Sequence, residues 1–227
     1  MVESIWRKGK LFGFMLLAGI LLMAKPALAD SYYPYEIQGY DVTVKVGKDN
    51  VYHVTERLQV NFNQARHGIY RDIPVINNVS REDGSTSRIQ ARVTNIKTYG
   101  EKKTVGREGS YCRIQLGDKN KTLVGEHMYH ISYDYNMGKD VRKGEDEFYY
   151  NIIGTSWDTT IQNVTFHIMM PEDIDESKVG MAYGESGSTN NEGLQYTING
   201  KVMEGYDFSE PVEVGEDEYF VLGDNRN

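Results

Sequence analysis

From Ile37 the chain alternates apolar and polar positions, with Tyr40, Val42, Val44 and Val46 on one side and Asp41, Thr43 and Lys45 on the other. Successive side chains of an extended strand point to opposite faces, so this is a strand with one face covered. Gly47-Lys48-Asp49-Asn50 is a polar turn, and Val51 to Phe62 returns with Tyr52, Val54, Leu58, Val60 and Phe62 on one side. The two runs predict a β-hairpin. Glu56 interrupts the pattern because it shares the apolar parity of the second strand. It either faces inward with a partner or marks a bulge. An inward carboxylate needs a cation or several hydrogen bonds, and Arg66 and Arg71 are the candidates.

Asn63 to Arg66 predicts a polar turn, and a dense packet follows: His67-Gly68-Ile69-Tyr70-Arg71-Asp72-Ile73-Pro74. In it Gly68 permits a tight turn, Arg71 can pair with Glu56 or Asp72, and Pro74 ends the strand. Asn77 to Ser87 reads as a surface loop, Arg88 to Thr98 as one strand, and EKKTVGREGS as a second loop. Tyr111 to Leu116 is a short strand. Gly125 to Tyr135 is another, its tyrosine-rich side packed and His130 left exposed. Residues 137–147 are a charged loop, and Ser156-Trp157-Asp158 a turn or short helical segment with Trp157 in the core. Ile161 to Met170 alternates again, with Val164, Phe166, Ile168 and Met170 facing in. Weaker strands are expected at Leu194–Ile198, Val212–Val214 and Glu218–Leu222. No helical period lasts beyond a turn or two. The expectation is an all-β fold, an antiparallel β-sandwich.

Residues 1–29 have a different character. Arg7, Lys8 and Lys10 precede an apolar run of 14 residues, Leu11 to Ala24, and Ala27-Leu28-Ala29 forms a small-residue cleavage site before Asp30. This predicts a signal peptide and an exported body; the run is short of the roughly 20 residues a spanning helix needs. Left uncleaved, the segment would tie the chain to a membrane.

The formal net charge is −8; residues 1–29 contribute a net +3, so the remainder is more acidic still at −11. Such a surface offers no footprint for nucleic acid. Cys112 is the single cysteine, so no intrachain disulfide forms, and its strand-like setting reads as a buried, inert thiol. Five histidines are present, but His127 and His130 fall on opposite faces of one strand, and Glu145-Asp146-Glu147 lacks a calcium-loop register. No metal site and no cofactor are expected.

Several stretches together carry a resemblance: VTERLQVNF in the hairpin, GIYRDIP at 68–74, YHISYDYNM at 129–137 and EFYYNIIGTSWDTTIQNVTFHIMMPED at 147–173. In order and spacing the chain resembles the domain of unknown function 2207 family of predicted bacterial membrane proteins over about residues 35–185. The resemblance implies an extracytoplasmic β-sandwich behind a signal peptide, normally followed by membrane helices, and no established activity. The end departs from it. EYFVLGDNR is similar to the closing box of type I signal peptidases, with Gly223, Asp224, Asn225 and Arg226 matching. In that family a lysine activates a serine nucleophile; here no Ser-Met pair occurs and no lysine box is recognisable. A truncated or fused reading frame is therefore expected there.

The resulting division is 1–29 signal peptide, 30–204 extracytoplasmic sandwich and 205–227 a strand segment resembling the peptidase box. No catalytic residues are assigned. Glu56, Gly68, Tyr70, Arg71 and Asp72 are the candidate binding residues. The functional expectation is a non-catalytic envelope module that meets another protein or an envelope component. The alternative is a fragment of a signal peptidase-like serine peptidase.

Overall fold

The computed structural model describes residues 33–80, 86–139, 148–172, 174, 179–184, 196–198, 201–203 and 219–224. The signal segment 1–29, the carboxylate run 145–147 and the expected strand 212–214 lie outside the described residues. What is described is strand and connection, with no helix among these residues. The all-β expectation holds.

The long hairpin forms where the alternation placed it: β1 (Tyr35–Val46) and β2 (Val51–Arg66) pair antiparallel from Tyr35↔Phe62 to Val46↔Tyr52. β9 (Leu123–Asn136) pairs with the other edge of β2, and β6 (Arg92–Thr98) with β9. β11 (Val164–Met169) completes a five-stranded sheet in the order β11-β1-β2-β9-β6. It joins β1 in parallel, from Tyr40↔Val164 to Lys45↔Met169, extended by a parallel bridge Ile37↔Ile161, whereas the other strand pairs among the described residues are antiparallel. A second layer holds β3 (Gly68–Pro74), β8 (Tyr111–Gly117) and β7 (Lys103–Glu108) in the order β3-β8-β7.

Tyr40, Val42, Val44, Tyr52, Val54, Leu58, Tyr129 and Ile131 of the first sheet are buried against Ile69, Ile73, Ile114 and Leu116 of the second. Each large apolar side chain removed from water contributes about 1.5–3 kcal/mol, so this seam is the main attractive force between the layers. Phe148, Tyr150, Ile152, Ile153 and Trp157 fill the same core from the segment around β10 (Tyr149–Asn151).

Several boundaries differ from expectation. Asn63 to Arg66 is no turn: β2 runs through to Arg66, with a register irregularity after Phe62. His67 alone separates β2 from β3, so the chain changes layer at a corner. That corner needs two glycines: a Cβ on Gly68 (φ +134°) would sit 1.9 Å from Leu116 O, and one on Gly117 (φ +135°) 2.0 Å from His67 O. The stretch 77–87 contributes to a hairpin, β4 (Ile76–Ser80) against β5 (Thr86–Gln90). Arg88 to Thr98 is two strands, because the chain leaves β5 at buried Ala91, whose N–H donates to Val75 O (2.9 Å), before entering β6. Residues 103–108, expected as loop, are β7.

Three further strands follow: β12 (Val179–Gly184), and the pair β13 (Tyr196–Ile198) and β14 (Lys201–Met203). β15 (Tyr219–Asp224) lies between β10 and β12, antiparallel to both.

Candidate functional site

β3 alternates across the boundary between core and solvent. Ile69, Arg71 and Ile73 point inward, while Tyr70 points outward. An arginine at core parity faces a glutamate at core parity: Glu56 of β2 is 0% exposed and Arg71 is 1% exposed. Their pairing is bidentate, with Arg71 Nε 2.8 Å from Glu56 Oε2 and Nη2 2.8 Å from Oε1. Of the two cations the parity argument left open, the structure selects Arg71; Arg66 lies over the Tyr35 ring, 5.1 Å from its centroid.

Burying two charges costs several kcal/mol per ion, and their attraction offsets this only if the remaining hydrogen-bonding capacity is met. Here it is met from three strands. Tyr40 Oη of β1 donates to Glu56 Oε2 (2.8 Å) and Tyr133 Oη of β9 to Oε1 (2.6 Å), so each oxygen receives two donors. Tyr150 Oη lies 2.9 Å from Tyr133 Oη and, since the Tyr133 proton is engaged, donates to it. Arg71 Nη1 donates to Asp72 O (2.8 Å), and the guanidinium lies 5.8 Å from the Trp157 ring. Trp157 is in turn held by Nε1–H to Ile153 O (2.7 Å) and packs edge-on to Tyr40. Gly154 leaves room for the guanidinium: a Cβ there would come within 2.5 Å of Nη1.

The electrostatics follow from this enclosure. Burial, with the Glu56 charge adding to it, pushes the Tyr40 and Tyr133 phenols well above their ordinary value, so both stay neutral donors. Burial alone would weaken the Arg71 charge; the Glu56 carboxylate more than compensates, and the affinity of Arg71 for its proton rises. No part of the pair faces solvent. What it does is bind β2 to β3, one layer to the other, at a fixed register. Tyr135 Oη donating to Pro74 O (2.8 Å) ties the same two layers one step along.

The outer face of β3 is built differently. Asp72 receives Arg113 Nε (2.8 Å) and Nη2 (2.7 Å), and Glu108 lies 3.5 Å from Arg113 Nη1. The Arg113 guanidinium sits 5.1 Å from the centroid of the Tyr70 ring. Tyr70 is 50% exposed and the Arg113 side chain 37%. Of the five candidate binding residues, then, Glu56 and Arg71 meet in the core, Gly68 makes the corner, Asp72 is covered by Arg113, and Tyr70 alone projects. Arg113, Tyr40, Tyr133, Tyr150, Trp157 and Gly154 were not among the candidates. Tyr40 and Tyr133 carried a usable signal, since they share core parity with Glu56 on neighbouring strands; Arg113 carried none.

The remaining candidates are dispersed. His127 pairs with Glu101 (2.8 Å) on the inward side of β9, and His130, half-buried, stacks on Tyr99 from the outward side. Among the described residues no group of three or more His, Cys, Asp or Glu side chains could hold a metal ion. Cys112 is half-buried, not buried, and its environment, burial first, raises the thiol above its ordinary value. Gly223 and Asp224 end β15, opposite Tyr149 and Val179; Asn225 and Arg226 lie outside the described residues. Among the described residues no helix is long and apolar enough to cross a membrane.

Two packed sheets joined through a saturated internal ion pair define an all-β structural domain. Over residues 36–213 the sequence matches the family described as "Predicted membrane protein (DUF2207) N-terminal domain". The chain belongs to that family. No curated protein matches the sequence. Among solved structures, an M1 zinc metallopeptidase from Deinococcus radiodurans is similar at 11% identity, with 84% of this chain on 42% of that one and a TM-score of 0.40. Native leukotriene A4 hydrolase from Saccharomyces cerevisiae is similar at 9% identity, with 88% of this chain on 32% of that one and a TM-score of 0.41. The chain spans less than half the length of these proteins.

Proposed function

We propose that the chain is the exported, non-catalytic domain of an envelope protein, a module that meets its partner through the outer face of β3 and β8 around Tyr70 and Arg113. The observation that carries this reading is the two-sidedness of β3. Its inward cation is closed off by Glu56 and its hydroxyl donors, whereas its outward face presents an aromatic ring backed by a fixed guanidinium. Tyrosine and arginine held in place by their neighbours are the side chains that anchor interfaces, because little freedom is lost when they are covered. The signal-like segment 1–29 and the family's description as a membrane protein's N-terminal domain support the envelope placement.

Two measurements test it. Fused behind the full chain, a reporter active only after export should be active; activity only of a cytoplasmic reporter overturns the placement. A photo-crosslinking amino acid at Tyr70 should capture a discrete partner in cells, while the same group at Thr55, on the outer face of the other sheet, should not. Equal capture at both positions, or none at Tyr70 in a normally folded protein, overturns the assignment of this face.

A further inference from the structure

Three positions carry an asparagine followed two residues later by serine or threonine, with no proline between: Asn78-Val79-Ser80, Asn120-Lys121-Thr122 and Asn163-Val164-Thr165. In an exported chain this motif is an acceptor for N-linked sugar. The motif alone does not make a site. The carboxamide must be free, and the backbone around it must be able to leave its place and enter the groove of a transferase.

The fold separates the three. Asn163 Nδ2 donates to Gln38 O (2.8 Å), and Asn163 O accepts from Tyr40 N (2.8 Å). Val164 and Thr165 are already in the β11 ladder, where the Thr165 hydroxyl donates to Asp41. Asn78 is exposed but lies within β4, opposite Arg88 of β5. Drawing out either segment breaks ladder hydrogen bonds. Asn120 is placed otherwise, in the connection 118–122 between β8 and β9. Lys121 N–H donates to Asp118 O (2.9 Å), which makes Lys119 and Asn120 the central residues of a turn. Asp118 Oδ1 accepts from Asn120 N (3.0 Å), so the backbone there is shaped by its own side chain and not by a neighbouring strand. Lys119, Asn120, Lys121 and Thr122 are all exposed. Among the described residues neither the Asn120 carboxamide nor the Thr122 hydroxyl has a partner. Exposed turns are also where a chain tolerates an addition.

We propose that Asn120 accepts an N-linked glycan on the folded chain, from a sugar carried on polyprenyl diphosphate. The Asn120 amide nitrogen attacks the anomeric carbon of the sugar. The new N–C bond replaces the C–O bond to the diphosphate, which leaves with the bonding pair, and the amide proton passes to a base of the transferase. Nothing is oxidised or reduced. Thr122 supplies the hydroxyl by which the transferase reads the motif. The inference rests on the envelope placement, because lipid-linked sugars are transferred outside the cytoplasm, and it is independent of any partner at Tyr70.

The test gives the purified full chain a polyprenyl diphosphate-linked oligosaccharide and an oligosaccharyltransferase that requires only the three-residue motif, with the product mapped by peptide mass spectrometry. Synthetic peptides spanning each of the three asparagines should all be modified, whereas the folded chain should carry sugar at Asn120 and not at Asn78 or Asn163. N120Q and T122A should lose the adduct and T122S should keep it, each with the parent's melting temperature. A folded chain left bare at Asn120 while its peptide is modified overturns the proposal, and so does equal modification at Asn163. The chain recovered from its own cells should carry the same adduct; bare Asn120 beside an active export reporter overturns it too. An inactive reporter overturns the envelope placement instead, and since the purified reaction needs no export, the two failures are distinguishable.

Discussion

Arg71 and Asp72 are neighbours on β3, and each makes a bidentate arginine–carboxylate pair, one toward the core and one toward solvent. The geometries are nearly the same; the surroundings are not. Glu56–Arg71 is sealed by Tyr40, Tyr133 and Trp157, while Asp72–Arg113 has water on one side and Tyr70 beneath it. The difference teaches that bond length says little about what a pair contributes. Inside, removing one partner strands a charge in a low-dielectric region; outside, solvent takes the place of the lost partner.

Arg71→Met is the sharpest way to separate the two faces. It leaves the Glu56 carboxylate buried without its cation, and urea denaturation should report a loss of about 3–5 kcal/mol. The double variant Glu56→Leu/Arg71→Met should lie closer to the parent than either single change; a fully additive loss would show that the two side chains do not act as a pair.

Alkali probes the same enclosure. Tyr40 and Tyr133 have phenols raised above the ordinary 10.0, burial being the main cause. The folded state therefore favours the neutral form. The resulting stability is complete below pH 10 and falls as pH rises beyond it, because the unfolded chain ionises first. Phenolate absorbance and loss of fold should rise together; ionisation of all seventeen tyrosines within an intact fold would contradict the enclosure.

Gly154→Ala tests the space beside Arg71. With φ at +85° and a Cβ 2.5 Å from Nη1, it should cost about 1–3 kcal/mol by thermal melting, and less in an Arg71→Met background. On the outer face Arg113→Ala should cost only about 1 kcal/mol, a loss that shrinks as salt is raised. Lys48→Ala removes a 2.6 Å pair with Glu172 between two well-exposed side chains, and melting should not register it.

Much of this was legible in the order of residues. A carboxylate at core parity within a regular alternation announced a buried partner, and the hairpin boundaries at Val46 and Val51 followed from the turn residues between them. The choice between Arg66 and Arg71 was not legible, since both stand close after Glu56 in sequence. It was decided by a corner at His67 that rests on two glycines from distant segments. β7 escaped notice for a different reason: all six of its residues are exposed, so no alternation marks it as a strand. Arg113 was invisible because its partner lies 41 residues away and an arginine on a solvent face is unremarkable. Ala91 kept the alternation going across what proved to be a change of sheet.

The parallel seating of β11 on β1 has a consequence for how the molecule is made. Asp41 and Thr165, side by side in that ladder, are 124 residues apart. A chain emerging from its amino end completes the β1–β2 hairpin long before β11 exists, and until then the free rim of β1 is open to any passing strand. During synthesis, therefore, that rim stays without its native neighbour until residues near Met169 have been added.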